Sequence, residues 1–165
     1  MPIIFPITYN CNLNCSYCSE KRTEAVDIEK GLILILASKE EWVYITGGEP
    51  LLVPELQSVC MRLREKGKKI GLCTNGTIHD FHILDYIDRI GVSIDGNETL
   101  TDGNRGKGTY KKAVEFLETA VTYPNLETVI MCTVLERNIM QEAHLEALGK
   151  RLGVTYFQET MCRKY

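Results

Sequence analysis

Three cysteines fall within eight residues, in Cys11-Asn12-Leu13-Asn14-Cys15-Ser16-Tyr17-Cys18. Thiolate sulfur is the ligand of zinc and of iron–sulfur clusters. Four protein ligands usually close a structural site, whereas three leave one coordination position for a small molecule. The C-x3-C-x2-C spacing lacks the second close pair of common zinc sites. Zinc would therefore need a fourth ligand from elsewhere, such as Cys60, Cys73 or a histidine.

Three other stretches combine polar side chains with glycine: Gly47-Gly48-Glu49-Pro50, Thr74-Asn75-Gly76 and Ser93-Ile94-Asp95-Gly96. Each alone reads as a turn, with Glu49 solvated and Asn75-Gly76 a common turn dipeptide. Tyr17 alone reads as packing. Their joint position along the chain is what gives them weight.

That position follows from the elements. The pattern predicts strands over Ile3–Thr8, Trp42–Thr46, Lys69–Thr74, Arg89–Asp95, Glu127–Val134 and Val154–Glu159. Helices are predicted over Ile28–Ser38, capped by Asp27, and from Pro54 to a stop at Gly67. A shorter one is expected over Asp80–Ile87. Gly96–Gly108 reads as a long polar loop. Thr109 is expected to cap a helix with Tyr110, Ala113, Val114, Leu117 and Val121 on one face. Asn138 with Gln141 resembles a capping box for a helix to Leu152.

Strands alternating with helical stretches imply βαβ units and a parallel sheet. Six units fit 165 residues, whereas a closed eight-unit barrel takes about 250. The element order thus admits an open partial barrel or a doubly wound sheet. In either, function gathers at the C-terminal ends of the strands. The cysteines and the three glycine-bearing turns all map to that rim.

The chain is long enough for one domain, 1–165, with a sizeable core. A net charge of -3 gives no electrostatic reason for nucleic-acid binding. The apolar run Gly31–Ala37 is far short of a membrane span, and the N-terminus lacks signal-peptide features. The cytoplasm is the expected location. Of the seven cysteines, Cys60, Cys73, Cys132 and Cys162 are scattered singly and read as small core residues. Gly103–Thr109 fails as a phosphate loop, because Lys107 is followed by Gly108. His79 and His82 read as a solvated helix start.

The cysteine triad with Tyr17 before its last member resembles the signature of the radical S-adenosylmethionine (SAM) superfamily. Gly47-Gly48-Glu49-Pro50 is similar to that family's glycine-glycine-glutamate motif. Thr74–Gly76 and Ser93–Gly96 resemble its third- and fourth-strand motifs. The resemblance implies a partial (β/α)6 TIM-like barrel holding a [4Fe–4S] cluster on Cys11, Cys15 and Cys18. The fourth iron would bind the amino and carboxylate groups of SAM. An electron, from a flavodoxin- or ferredoxin-type donor, would split SAM into methionine and a 5′-deoxyadenosyl radical that takes hydrogen from a substrate. By the same resemblance Gly47, Gly48 and Glu49 hold the methionine amino group. Ser93 and Asp95 reach the ribose or the methionine end, Tyr17 and the strand near Tyr156 lie by the adenine, Asn75 is a further contact, and Arg105 meets the SAM carboxylate. No further acid or base is nominated.

Ser93–Gly96 with Asp102, Arg105 and Gly106–Tyr110 resembles peptide- and protein-modifying members, including anaerobic sulfatase-maturing enzymes. Their C-terminal extension carries auxiliary clusters, and only Cys162 stands in the corresponding region here. A peptide or protein substrate is expected. The alternatives are a small metabolite or partner enzyme as substrate, and, in another class, a non-catalytic zinc or thiol binding module.

Overall fold

The computed structural model describes residues 1–18 and 25–161, the last six of them by backbone alone. β1 (Ile3–Thr8), β2 (Trp42–Gly47), β3 (Lys69–Thr74), β4 (Arg89–Ser93), β5 (Glu127–Val134) and β6 (Tyr156–Met161) form one sheet in sequential order. Every adjacent pair is parallel. A doubly wound sheet reverses its strand order part-way along. This sheet does not, so its crossovers all wind the same way and it curves as a partial barrel.

Alternation along each strand separates two faces. Val43, Ile45, Ile70, Leu72, Ile90 and Val92 are fully or almost fully buried and pack with the helices in one core. The opposite face lines the barrel interior. There a Cβ on Gly71 would sit 2.5 Å from the Tyr44 ring, and one on Gly91 would sit 2.4 Å from the Met131 sulfur. The two glycines admit two large side chains across the barrel floor. Below them Arg89 lies 4.9 Å from the Trp42 ring centroid and pairs with Glu127.

The helices are α1 (Ile28–Ala37), α2 (Leu56–Glu65), α3 (Glu98–Arg105), α4 (Thr109–Ala120) and α5 (Glu142–Leu152). Asp27 caps α1 by accepting from the Lys30 N–H at 3.0 Å. Leu32 and Ile35 fill the core while Ile33 and Leu34 face outward. α2 starts at Leu56, after a 3-10 turn at Pro50–Leu52, and buries Leu56, Val59, Cys60 and Leu63. No helix among the described residues is long and apolar enough to cross a membrane.

Several expectations need correcting. The expected loop Gly96–Gly108 contains α3, capped by the Asn97 side chain on the Leu100 N–H. The segment Asp80–Ile87 is only a 3-10 turn, His82–Tyr86. Thr109 does not cap α4. Gly108 holds that position in a left-handed conformation, and the Asp102 carboxylate accepts from the Gly108 and Tyr110 N–H groups at 2.6 and 2.9 Å. Asn138 does not cap α5, which starts at Glu142 with no side-chain cap. Its buried amide turns inward instead. β4 stops at Ser93, and β6 starts at Tyr156 because the Val154 N–H still bonds the Gly149 carbonyl of α5.

Candidate functional site

The cysteine loop leaves β1 at the C-terminal rim of the barrel. Cys11 is exposed, and Cys15 and Cys18 are half-buried. The loop turns on itself where the Cys18 N–H donates to the Cys15 carbonyl at 3.1 Å. Its first half is tied to the end of β3. Asn75 Nδ2 donates to Asn12 Oδ1 at 2.9 Å and lies 3.9 Å from the Cys11 sulfur, while Asn12 donates to Thr77 Oγ1 at 2.8 Å. Its second half is tied to α3 and the β5–α5 connection. The Ser16 N–H donates to the Asn104 carbonyl at 2.9 Å, and Arg137 donates to Ser16 Oγ at 2.6 Å.

The Gly47-Gly48-Glu49 turn presses directly on this loop. The Gly48 N–H donates to the Thr8 carbonyl and the Glu49 N–H to the Asn10 carbonyl, both at 2.8 Å. A Cβ on Gly47, whose φ is +134°, would lie 2.1 Å from the Thr8 oxygen. One on Gly48 would lie 2.2 Å from the Asn10 oxygen. Two glycines are needed because backbone lies on backbone.

Glu49 is fully buried. Oε1 accepts from the Thr74 hydroxyl at 2.7 Å and the Leu51 N–H at 3.1 Å, and Oε2 from the Asn75 N–H at 2.8 Å. Burial raises its pKa, and these three hydrogen bonds oppose the rise. The carboxylate thus pins the ends of β2 and β3 together rather than standing open on the rim.

Asp95, also fully buried, is the second node. It accepts from Arg105 at 2.9 and 2.8 Å, from the Tyr17 hydroxyl at 2.8 Å and from Asn104 at 3.2 Å. The Arg105 guanidinium lies 5.5 Å from the Tyr17 ring centroid. Burial raises the pKa of the Tyr17 phenol. Burial also raises that of Cys15, against the pull of the Arg105 charge.

The expected site residues therefore fall into two groups around one loop. Gly47, Gly48, Glu49 and Asn75 meet its Cys11 side; Tyr17, Asp95 and Arg105 hold its Cys15–Cys18 side. Ser93 ends β4 opposite Met131 of β5, on the same face of the strand as Gly91. The side chain of Tyr156 and all of Cys162 lie outside the described residues. Asn104, Arg137 and Asn138 join the site without having been expected. Asn138 Nδ2 donates to the Asp95 and Thr133 carbonyls, both at 2.9 Å.

Of the scattered cysteines, Cys60 and Cys132 are buried. Burial pushes the Cys60 thiol up to about 12 and the half-buried Cys73 up to about 11. His79 packs on Phe116 with Nε2 3.0 Å from the Lys112 carbonyl.

Among the described residues, no three Cys, His, Asp or Glu side chains converge tightly enough for one metal ion. Three thiolates without histidine or carboxylate suit an iron–sulfur cluster, in which each cysteine binds a different iron. The profile of the radical SAM superfamily matches residues 5–148. The chain belongs to that superfamily. Its family cofactors are a [4Fe–4S] cluster and SAM, and the donor set of the cysteine loop fits such a cluster.

This radical SAM chain is 29% identical over 170 residues to the AdoMet-dependent heme synthase of Methanosarcina barkeri, covering 94% of the chain and 48% of the relative. It is 27% identical to mycofactocin maturase MftC of Mycolicibacterium smegmatis, covering 93% and 42%. The chain thus spans less than half the length of these relatives. Its fold matches Streptococcus suis SuiB bound to S-adenosylmethionine, with a TM-score of 0.85, 14% identity and coverage of 99% and 41%. It also matches anSMEcpe with bound AdoMet, with a TM-score of 0.79, 22% identity and coverage of 99% and 52%.

Proposed function

We propose that residues 1–165 form one radical SAM core domain. In this reading it cleaves SAM reductively at a [4Fe–4S] cluster and abstracts hydrogen from a peptide or protein. The observation that carries this reading is the backbone-to-backbone contact of the cysteine loop with the Gly47-Gly48-Glu49 turn. It sets three thiolates beside the strand-end backbone on one rim. Cys11, Cys15 and Cys18 hold the cluster. Together the cluster and SAM supply a 5′-deoxyadenosyl radical; the chain places them and excludes water.

An ammonium needs acceptors. The Gly48 and Glu49 N–H groups are engaged, and three of the roughly four acceptor sites of the Glu49 carboxylate are taken. The carbonyls of the Gly47-Gly48 turn and the remaining Glu49 site take that role, and Glu49 fixes the turn. Ser93 and Asn75 line the same space. Arg105 binds Asp95 through Nε and Nη2, which leaves Nη1 for the SAM carboxylate. Tyr17 flanks the adenine side. A flavodoxin- or ferredoxin-type protein supplies the electron, and the enzyme works in the cytoplasm.

A peptide substrate is supported by the relatives' names, which include mycofactocin maturase and subtilosin biosynthesis protein AlbA. A small metabolite is the second reading, favoured by the match to the heme synthase over 94% of the chain. Anaerobic reconstitution followed by iron, sulfide and 5′-deoxyadenosine measurements tests the class. About one zinc per chain and no SAM cleavage under strong reductant would refute it. Cys15→Ala should lose both the cluster and SAM cleavage. Deuterated candidate peptides and metabolites, with label sought in 5′-deoxyadenosine, decide between the two substrates.

A further inference from the structure

Asp95 meets more donors than its two oxygens have lone-pair sites. Oδ2 accepts from Tyr17, Asn104 and Arg105 Nε, and Oδ1 from Arg105 Nη2 and, at 3.4 Å, the Thr133 N–H. A carboxylate offers about four such sites. A sugar hydroxyl could bind there only by displacing a protein donor. The Asp95 backbone is equally held: its N–H donates to Thr101 Oγ1 at 3.2 Å and its carbonyl accepts from Asn138. The residue is built in on every side.

What it reaches is the cysteine loop. Tyr17 stands between Cys15 and Cys18, so its hydroxyl bond to Asp95 is a strut between the loop and the segment that follows β4, across 78 positions of sequence. Arg105, 8% exposed, brings a positive charge to the same place, and Asp95 faces it with both oxygens.

We propose that Asp95 is a positioning residue that holds Tyr17 and Arg105 against the Cys15–Cys18 half of the loop. It also offsets the Arg105 charge beside the cluster, and it makes no contact with SAM. This rests on the cluster assignment proposed above.

The test is a potentiometric titration of the reconstituted cluster without SAM, followed by electron paramagnetic resonance, together with SAM affinity. Asp95→Asn leaves the Arg105 charge unmatched, and a positive charge favours the reduced, more negative cluster. Its midpoint potential should rise. Asp95→Asn/Arg105→Gln removes both charges and should return the potential toward the parent value, which a loss of folding could not mimic. Tyr17→Phe removes the strut without altering charge. It should leave the potential in place and weaken SAM binding about tenfold, the loss of one hydrogen bond to a charged group. An unchanged potential in Asp95→Asn, with SAM affinity lost there and kept in Tyr17→Phe, would mean direct ribose contact and overturn the inference. A parent protein that takes up no iron or sulfide overturns the cluster assignment and this inference with it.

Discussion

Replacing Gly48 by alanine tests how tightly the two halves of the site are pressed together. Gly48 is not among the glycines with positive φ, so alanine can adopt its backbone conformation. Were the position open, the change would stabilise the fold by about 0.4–1 kcal/mol through the unfolded chain. The structure demands the opposite sign. The new Cβ would lie 2.2 Å from the Asn10 oxygen and 2.8 Å from the Tyr9 oxygen, where ordinary contact begins at 3.4 Å. The loop would have to retreat by about 1.2 Å, the difference between 3.4 and 2.2 Å. That carries the 2.8 Å bond from the Glu49 N–H to Asn10 to about 4 Å, beyond hydrogen-bonding distance. Losing that bond and straining the neighbouring Gly48–Thr8 bond costs about 2–4 kcal/mol. Urea unfolding under anaerobic conditions reads the stability, and iron content after reconstitution reads the loop. A variant as stable as the parent, with full iron, would refute the close-approach argument.

Gly149 lies inside α5 with only ordinary contacts awaiting a Cβ, at 3.8 Å. Gly149→Ala should therefore stabilise the fold by about 0.5–1 kcal/mol in the same urea assay. Asn138→Ala removes a buried amide that serves the Asp95 and Thr133 carbonyls and accepts from the Leu135 N–H; a loss of about 2–4 kcal/mol is expected in thermal unfolding. Cys60 has a folded-state pKa of about 12 against an ordinary 9.0. Because the folded pKa is the higher one, its contribution to stability is complete below pH 9 and is lost as pH rises from 9 toward 12. Cys60→Ala should flatten the fall of the urea midpoint between pH 9 and pH 11.

The strands were legible because their core faces carry β-branched and leucine side chains at every second position, as in Ile70, Leu72 and Ile90, Val92. The rim followed from their order. Helix α3 was not legible by periodicity, because Thr101, Asn104 and Arg105 are the residues it buries. A helix that turns polar groups inward has no apolar stripe to detect. Its start was nonetheless written in Asn97 followed by Glu98, a cap with an acid in the first turn. Asn138 carried the opposite error: a residue type that suits a cap serves here as a buried bracket. The cysteine loop and the glycine turn were readable as motifs, but the inward engagement of Glu49 and Asp95 depends on neighbours up to 78 positions away. No local pattern encodes such partners.

The clamp on Ser16 has a consequence for how the protein is made. Arg137 stands 121 positions after the serine it holds. At roughly 5–20 residues per second, a ribosome needs about 6–24 s to cover that distance. During that interval the three thiols have been synthesised, while Tyr17 and Ser16 await anchors from the segment after β4, from α3 and from the segment after β5. The last tie on the cysteine loop is thus completed late in the life of the nascent chain, after the residues that make its other ties have been synthesised.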